Sequence, residues 1–377
     1  MFNLKIFQLL IAVLICSNLY GQKTFVFLGS FNWDKEKEGI FVYELDTVSG
    51  NLSKMTSVKN IRNPSFLALS KSGKYLFACT DSKTENSGSV SSFEFNPKDA
   101  SLTFINSQNS GGENPVYLMA HQSDKWLVNG NYTEGSASVY PVSENGIIQP
   151  FVQNFQFSEG SVNKDRQERA HIHSTVFSPD FKYVFLPDLG ADKIRCYQFD
   201  DSKKMPLLPC DEPFVKTVPG SGPRHLTFHP NAKFAYLIEE MGGALSAYQY
   251  DSGKLKNIQR IAAHSDDLKQ NFESSDIHIS PDGKFLYASN RGSENNFAIF
   301  SIQNDGILRK LGYQSTKGKH PRVFGIDESG KFLIAANTGT GKAVVFKRNS
   351  KTGMLRKAGK KIKIENVSAV QIRRYDF

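Results

Sequence analysis

An all-β ring of seven four-stranded antiparallel sheets is predicted for this chain by three observations. A turn signal, a short apolar strand, a Pro-Asp-Gly-like turn and a second apolar strand recur as one phrase. The phrase returns at a near-constant interval. The composition has 29 Phe, 14 Tyr and 29 Gly but none of the long Ala/Leu/Glu-rich stretches of a helical protein, which suits many strands joined by tight turns.

The clearest copies are HSTVFSPDFKYVFLPDLG from His173, HLTFHPNAKFAYLIEE from His225, IHISPDGKFLYASNRG from Ile277 and VFGIDESGKFLIAANTG from Val323. Weaker ones start at Ser65 and Val116. The first strands begin at Phe66, Val116, His173, His225, Ile277 and Val323, which lie 50, 57, 52, 52 and 46 residues apart. Such spacing marks repeated supersecondary units. In the copy at Ile277, DIHIS reads as strand one, PDGK as the turn, FLYASN as strand two, NNFAIFSI as strand three and the region of LRKLGYQS as strand four. An isolated sheet of this kind has two apolar faces and needs a neighbour on each. A closed ring, the β-propeller, supplies both and leaves only short protected edges. Six copies are internal. The seventh is split between TFVFLGSF and GIFVYELD at the start and SAVQIRRYDF at the end, so that pairing the two termini closes the ring. The 355 residues after Gln22, divided by seven, give about 51 per blade, in line with the spacing. One propeller domain is therefore expected over residues 22–377.

Two insertions interrupt the rhythm. Residues 151–170 read as an outer strand plus a charged loop. Residues 201–222 are Pro-rich and read as an ordered loop with little regular structure.

Residues 1–21 read as a secretory signal. Lys5 precedes an apolar core of about ten residues, too short to span a bilayer comfortably, with a cleavage site expected near Gly21-Gln22. The mature chain is expected in the periplasm or outside the cell. Ile15 before Cys16 is bulky where lipoprotein signals carry a small residue, which argues against a lipid anchor. No later run is long enough for a membrane span. The formal charge of +9 falls to +8 when Lys5 leaves with the signal. The basic residues are scattered, and the one dense tract, Arg356-Lys357 with Lys360, Lys361 and Lys363, fits an outer strand with a solvated face. Nucleic-acid binding is not expected. Three cysteines remain. Their odd number excludes complete intramolecular pairing, and Cys79 and Cys196, in strand patterns, are expected as buried thiols.

Hairpin geometry locates a site. The start of strand one and the end of strand two lie at the same end of each sheet, and strand one of a propeller lines the central channel. Those positions hold Asn63 and Asp81; Asn114, Asn131 and Tyr132; His171, His173 and Asp188; Arg224, His225, Glu239 and Glu240; Asp276, Asn290 and Arg291; Arg322 and Asn337. The Asn and Asp residues Asn63, Asp81, Asn114 and Asn337 fit ordinary turn capping. Turn chemistry does not need Arg, so Arg224, Arg291 and Arg322 beside His and Glu read as an anion-receiving pocket with proton-transfer groups in reach. His229 falls in the far turn and reads as structural. HIH at 171–173 offers two metal-ligand side chains on one strand face, but nothing fixes a third ligand, and no metal or other cofactor is expected. GSGPRH lacks the ending of a phosphate loop, and there is no G-x-S-x-G elbow.

PSFLALSKSGKYLF, NYTEGSASVYPV, HIHSTVFSPDFKYVFLPDLGADKIRCYQFD, GPRHLTFHPNAKFAYLIEE, IHISPDGKFLYASNRG and PRVFGIDESGKFLIAAN together resemble the lactonase family of seven-bladed propellers. That family includes propeller-type bacterial 6-phosphogluconolactonases and fungal carboxy-muconate lactonizing enzymes. The resemblance covers nearly all of residues 24–377 and implies hydrolysis of a sugar-acid lactone, 6-phosphogluconolactonase-like. It implies that His173 (or His171), Arg224, Glu240 (or Glu239) and Arg291 are catalytic. Substrate contacts are expected from His171, Asp188, His225, Glu239, Asp276, Arg322 and Tyr132. Asp276 stands where the family often has Glu, and the signal departs from the better-known cytoplasmic members. The expected partner is a small anionic or polyhydroxylated lactone. The alternatives are a secreted propeller that binds a sugar acid, glycan or protein without turnover, and a muconate-type cycloisomerase using the same Arg and Glu.

Overall fold

The computed structural model describes residues 21–377, so the expected signal segment lies, but for its last residue, outside the described part. Among the described residues the strands form seven four-stranded antiparallel sheets. Blade 1 combines Gln22–Ser30, Ile40–Leu45 and Leu52–Val58 with the C-terminal strand Val367–Asp376. Blade 2 runs from Phe66 to Asn109, blade 3 from Pro115 to Gln156 and blade 4 from Val176 to Lys216. Blade 5 runs from Pro223 to Ala262, blade 6 from Ser274 to Ser315 and blade 7 from Pro321 to Lys363. No helix among the described residues is long and apolar enough to cross a membrane.

The ring closes as the split repeat requires. Val367–Asp376 is the innermost strand of blade 1 and pairs with Gln22–Ser30 from Gln22↔Asp376 to Ser30↔Val367. Pairing the last strand with the first offsets the entropy of joining distant chain ends.

The apolar runs of the second strands follow from burial on both faces. In Phe285–Asn290, Leu286 and Ala288 pack toward blade 5, while Phe285 and Tyr287 pack toward blade 7. Alternate residues of a strand point to opposite faces, and here both faces are interior. Each blade interface has its own apolar cluster, and together these make the core. The cluster between blades 6 and 7 holds Phe285, Tyr287, Phe297, Phe324 and Phe346. Each such side chain contributes roughly 1.5–3 kcal/mol on burial, so interface packing outweighs intrinsic strand propensity.

Two expectations are corrected in blade 4. The Pro-rich insertion is not a loop without regular structure: Leu207–Lys216 is the outer strand, paired with Lys193–Phe199. An edge strand tolerates Pro209 and Pro213 because one row of its backbone groups needs no ladder partner. Cys196 is not a free thiol but is joined to Cys210 by a disulfide. The ladder shifts there, between Arg195↔Phe214 and Tyr197↔Pro209, so residues 210–213 bulge opposite Cys196. Cys79 is free and buried, as expected.

The turns at the far end share one backbone geometry. Gly73, Gly283 and Gly330 have φ of 75°, 71° and 66°, and Asp124, Phe181 and Ala232 occupy the matching left-handed position at 58° each. A residue with a Cβ is strained there by roughly 1–2 kcal/mol. Ala232→Gly is expected to raise the free energy of unfolding in urea by about 1 kcal/mol. Gly283→Ala is expected to lower it by more than that gain, since its Cβ would come within 2.9 Å of the His229 ring. Equal effects of the two changes would refute this account of the turns.

Candidate functional site

The mouth of the channel is built by a repeated irregularity. In blade 5 the ladder runs Pro223↔Glu239 and then His225↔Ile238, leaving Arg224 as an extra residue. In blade 7 it runs Pro321↔Asn337 and then Val323↔Ala336, leaving Arg322 extra. Blade 6 slips by one between Ser274↔Asn290 and Ile277↔Ala288, next to Asp276. A bulge adds one residue to one strand and re-aims its side chain. Here it is placed where the inner strand enters the channel, in two cases directly after Pro.

Glu240 is the hub. It follows the second strand of blade 5, and its backbone N–H donates to Gly222 O at 2.8 Å. Its Oε2 accepts from Arg224 Nε at 2.8 Å and pairs with Arg291 Nη2 at 3.0 Å. Its Oε1 accepts from Arg166 Nη2 at 2.7 Å. Burial raises a carboxyl, but Arg291, Arg224 and Arg166 outweigh it and hold Glu240 well below the usual carboxylate range. Glu240 is therefore a buried anion with three cationic partners.

Arg224 is almost fully buried and clamped. Besides Glu240, its Nη1 donates to Ser275 O at 2.7 Å and to His225 Nε2 at 3.0 Å. Burial lowers its pKa to about 10, which still leaves it charged at neutral pH. Its Nη2 has no hydrogen-bond partner among the described residues. Arg291, at the end of the second strand of blade 6, donates from Nη2 to Ser274 O at 3.3 Å and forms an ion pair with Glu240.

His173 faces this cluster from blade 4. Its Nε2 is 3.9 Å from Glu240 Oε2, and its Nδ1 is buried without a partner. Burial, then Arg224 and His225, pushes its pKa well below the ordinary histidine range. It is a neutral imidazole beside an anion, about 1 Å beyond hydrogen-bond reach of it.

His225 and Asp276 form the layer beneath. His225 Nδ1 donates to Asp276 Oδ1 at 2.8 Å, which leaves Nε2 to accept from Arg224. Burial and Arg224 lower the His225 pKa to about 4. Asp276 also accepts from His278 Nε2 at 3.0 Å and from the Phe324 N–H at 2.9 Å. Despite burial, His278 and His225 keep it far below the usual carboxylate range. Below this layer a cavity of about 380 Å³, lined by Tyr117, Phe177, Phe228 and His278, reaches the turns at the far end. His229 lies at that end, its ring bonded to Gly283 O at 2.9 Å, in the structural role expected.

His171 and Tyr132 form a wall. Their rings stack at 4.4 Å, His171 Nδ1 donates to Tyr132 O at 2.7 Å, and His171 Nε2 lies 3.3 Å from Glu168. Tyr132 Oη accepts from Arg166 at 3.3 Å. His171 thus braces the insertion loop, whereas His173 meets Glu240. Arg322 sits on the same mouth, where Arg224, Arg291, Glu240 and Asp276 all act on its charge.

Two expected site residues are elsewhere. Asp188 is fully buried and bound by Arg195 at 2.8 and 3.0 Å and by the His171 and Ala191 N–H groups. Glu239 is fully buried and bound by Arg260 at 2.7 Å and Ser246 at 2.7 Å. Adjacent strand residues point oppositely, so once Glu240 faces the channel, Glu239 turns into its own blade. Arg166 is the residue missed. Its only sequence signal is its place in the charged run NKDRQER just before His171. No group of three or more His, Cys, Asp or Glu among the described residues is arranged to hold a metal ion.

With this geometry in hand, likeness to known proteins is informative. The family model described as lactonase, 7-bladed beta-propeller, matches residues 25–372. A protein of Formosa agariphila named 6-phosphogluconolactonase is 42% identical over 308 residues, covering 81% of this chain and 86% of that one. One of Bacillus subtilis with the same name is 33% identical, covering 77% and 81%. The solved periplasmic gluconolactonase of Pseudomonas aeruginosa superposes with a TM-score of 0.87 at 30% identity, covering 93% of this chain and 99% of that one. The chain belongs to the lactonase family of seven-bladed β-propellers.

Proposed function

We propose that this protein is a carboxylic-ester hydrolase that opens a sugar-acid lactone, as its relatives named 6-phosphogluconolactonase and gluconolactonase do by name. The observation that carries the reading is the buried Glu240 anion, held by arginines, beside a neutral His173.

Lactone opening needs an activated water, a stabilised oxyanion and a proton for the leaving alkoxide. In this reading a water bridges His173 and Glu240. As its oxygen attacks the lactone carbonyl, its proton passes to His173, and Glu240 stabilises the imidazolium that forms. The carbonyl oxygen becomes an oxyanion against Arg224 Nη2, whose guanidinium is fixed in advance by Glu240, Ser275 O and His225. Collapse breaks the ring C–O bond, His173 returns the proton to the alkoxide, and the acid product ionises. Arg291 braces Glu240 and adds positive charge beside the reacting carbonyl. His225 and Asp276 act through Arg224, and Tyr132 and His171 shape the wall.

Replacement of His173 with Gln, or of Arg224 with Lys, is expected to lower kcat for gluconolactone by about 10²–10³-fold, read by proton release after subtraction of spontaneous hydrolysis. A near-wild-type rate in either variant, with an unchanged near-ultraviolet spectrum, would refute these roles.

We also propose that residues 1–21 are a cleaved leader and that the mature propeller works in the periplasm or outside the cell. The Cys196–Cys210 disulfide supports this, since disulfides persist in oxidising compartments, as does the likeness to a periplasmic relative. Amino-terminal sequencing of the protein from its native host is expected to begin at or near Gln22. A chain beginning at Met1 would refute export by cleavage.

A further inference from the structure

A cavity of about 220 Å³ lies beside this mouth, sharing Arg322 with it, where blade 7, the loop after Gln22–Ser30 and the loop after Tyr75–Thr80 meet. Its walls carry Lys83, His320 and Arg322, with Phe31 and Trp33 opposite. The Lys83 ammonium and the Arg322 guanidinium both stand over the Phe31 ring, at 4.2 and 5.3 Å from its centre. Neither has a carboxylate within salt-bridge distance among the described residues, unlike Arg224, Arg291 and Arg195.

Lys83 is exposed at the rim, and Arg322 and His320 are partly buried. Partial burial and neighbouring positive charge lower Lys83 to about 8 and Arg322 to about 9, and they lower His320 to about 4, so that His320 adds a neutral imidazole beside two charges. The backbone fixes the arrangement. Lys83 is left-handed at φ 56°, and its N–H donates to Asn114 Oδ1 at 3.1 Å. Arg322 is the bulge residue of its strand, and its carbonyl accepts from Ser275 Oγ at 2.6 Å. Charges crowded together by a fixed backbone, with no counter-ion from the protein, are the arrangement that an anionic ligand completes.

We propose that the Lys83–Arg322–His320 cavity receives an oxyanion, phosphate or carboxylate, carried by the substrate at the end remote from its lactone carbonyl. The proposal rests on the lactonase reading and extends it. It makes the protein selective for lactones of sugar acids with a second acidic group over neutral aldonolactones. Trp33, 56% exposed at the cavity lip, gives the sugar a flat face to lie on.

The test compares gluconolactone, its 6-phosphate and glucarolactone, which carries a carboxylate at the same end, as substrates of the wild type, Lys83→Asn and Lys83→Arg. Asn tolerates the left-handed backbone, so loss of the ammonium is separated from loss of the turn. In Lys83→Asn the ratio of kcat/KM for the acidic lactones over gluconolactone is expected to fall by about tenfold or more, mainly through KM, with recovery in Lys83→Arg. The acidic lactone with the larger wild-type ratio identifies the oxyanion. A ratio that stays within about twofold in Lys83→Asn would overturn the proposal. Calorimetric affinities of 6-phosphogluconate, glucarate and gluconate separate the two readings. If no lactone is turned over, the hydrolase reading falls, while tighter binding of the diacids that is lost in Lys83→Asn would still support the cavity. Equal affinities for all three acids would overturn it.

Discussion

The site depends on one buried charge. Glu240 is an anion taken out of water, and a buried carboxylate without partners would protonate instead. It stays ionised because guanidinium groups from its own blade, from blade 6 and from the 151–170 insertion converge on it. The relationship is reciprocal, since Arg224 is itself almost completely buried and could not keep its charge cheaply without Glu240. Burial is the main cause of the neutral state of His173, and Arg224, then His225, discourage a proton there further. A neutral base, a fixed anion and a clamped donor therefore come from one electrostatic arrangement, with each group setting the state of the next.

The ring supplies what that arrangement needs. Residues 50 or so positions apart in sequence share one mouth because every blade presents the same corner to the axis. The bulge at that corner matters as much as the ring. Without the slip between Pro223 and His225, Arg224 would follow the strand's alternation and not enter the channel as an extra side chain. The same device in blade 7 gives Arg322. The wall of packed aromatics between blades then keeps these corners from moving apart.

Much of this was legible in the sequence. The repeat interval, the split terminal blade and the corner residues His173, Arg224, Glu240 and Arg291 follow from hairpin geometry, which holds whatever the side chains do. What was not legible depends on contacts that periodicity does not encode. Asp188 and Glu239 occupy the right rung, but Arg195 and Arg260, from other strands of the same blades, bind them inward. Arg166 lies in an insertion with no repeat position to mark it. Leu207–Lys216 was obscured by its two prolines, which an edge strand accepts. The Cys196–Cys210 bond needs the local bulge that brings two strand registers into reach.

The central claim is electrostatic: in the ready enzyme Glu240 is ionised and His173 is uncharged. The most direct measurement is kcat/KM for gluconolactone as a function of pH, with spontaneous hydrolysis subtracted. A histidine with a depressed pKa stays neutral as pH falls through 6.5, its ordinary value, and is lost as a base only lower down. The account predicts a rate that is level from neutrality through 6.5, with its acid limb below that value. An acid limb centred at or above 6.5, absent in His173→Gln, would show that His173 is not held neutral and would contradict the account.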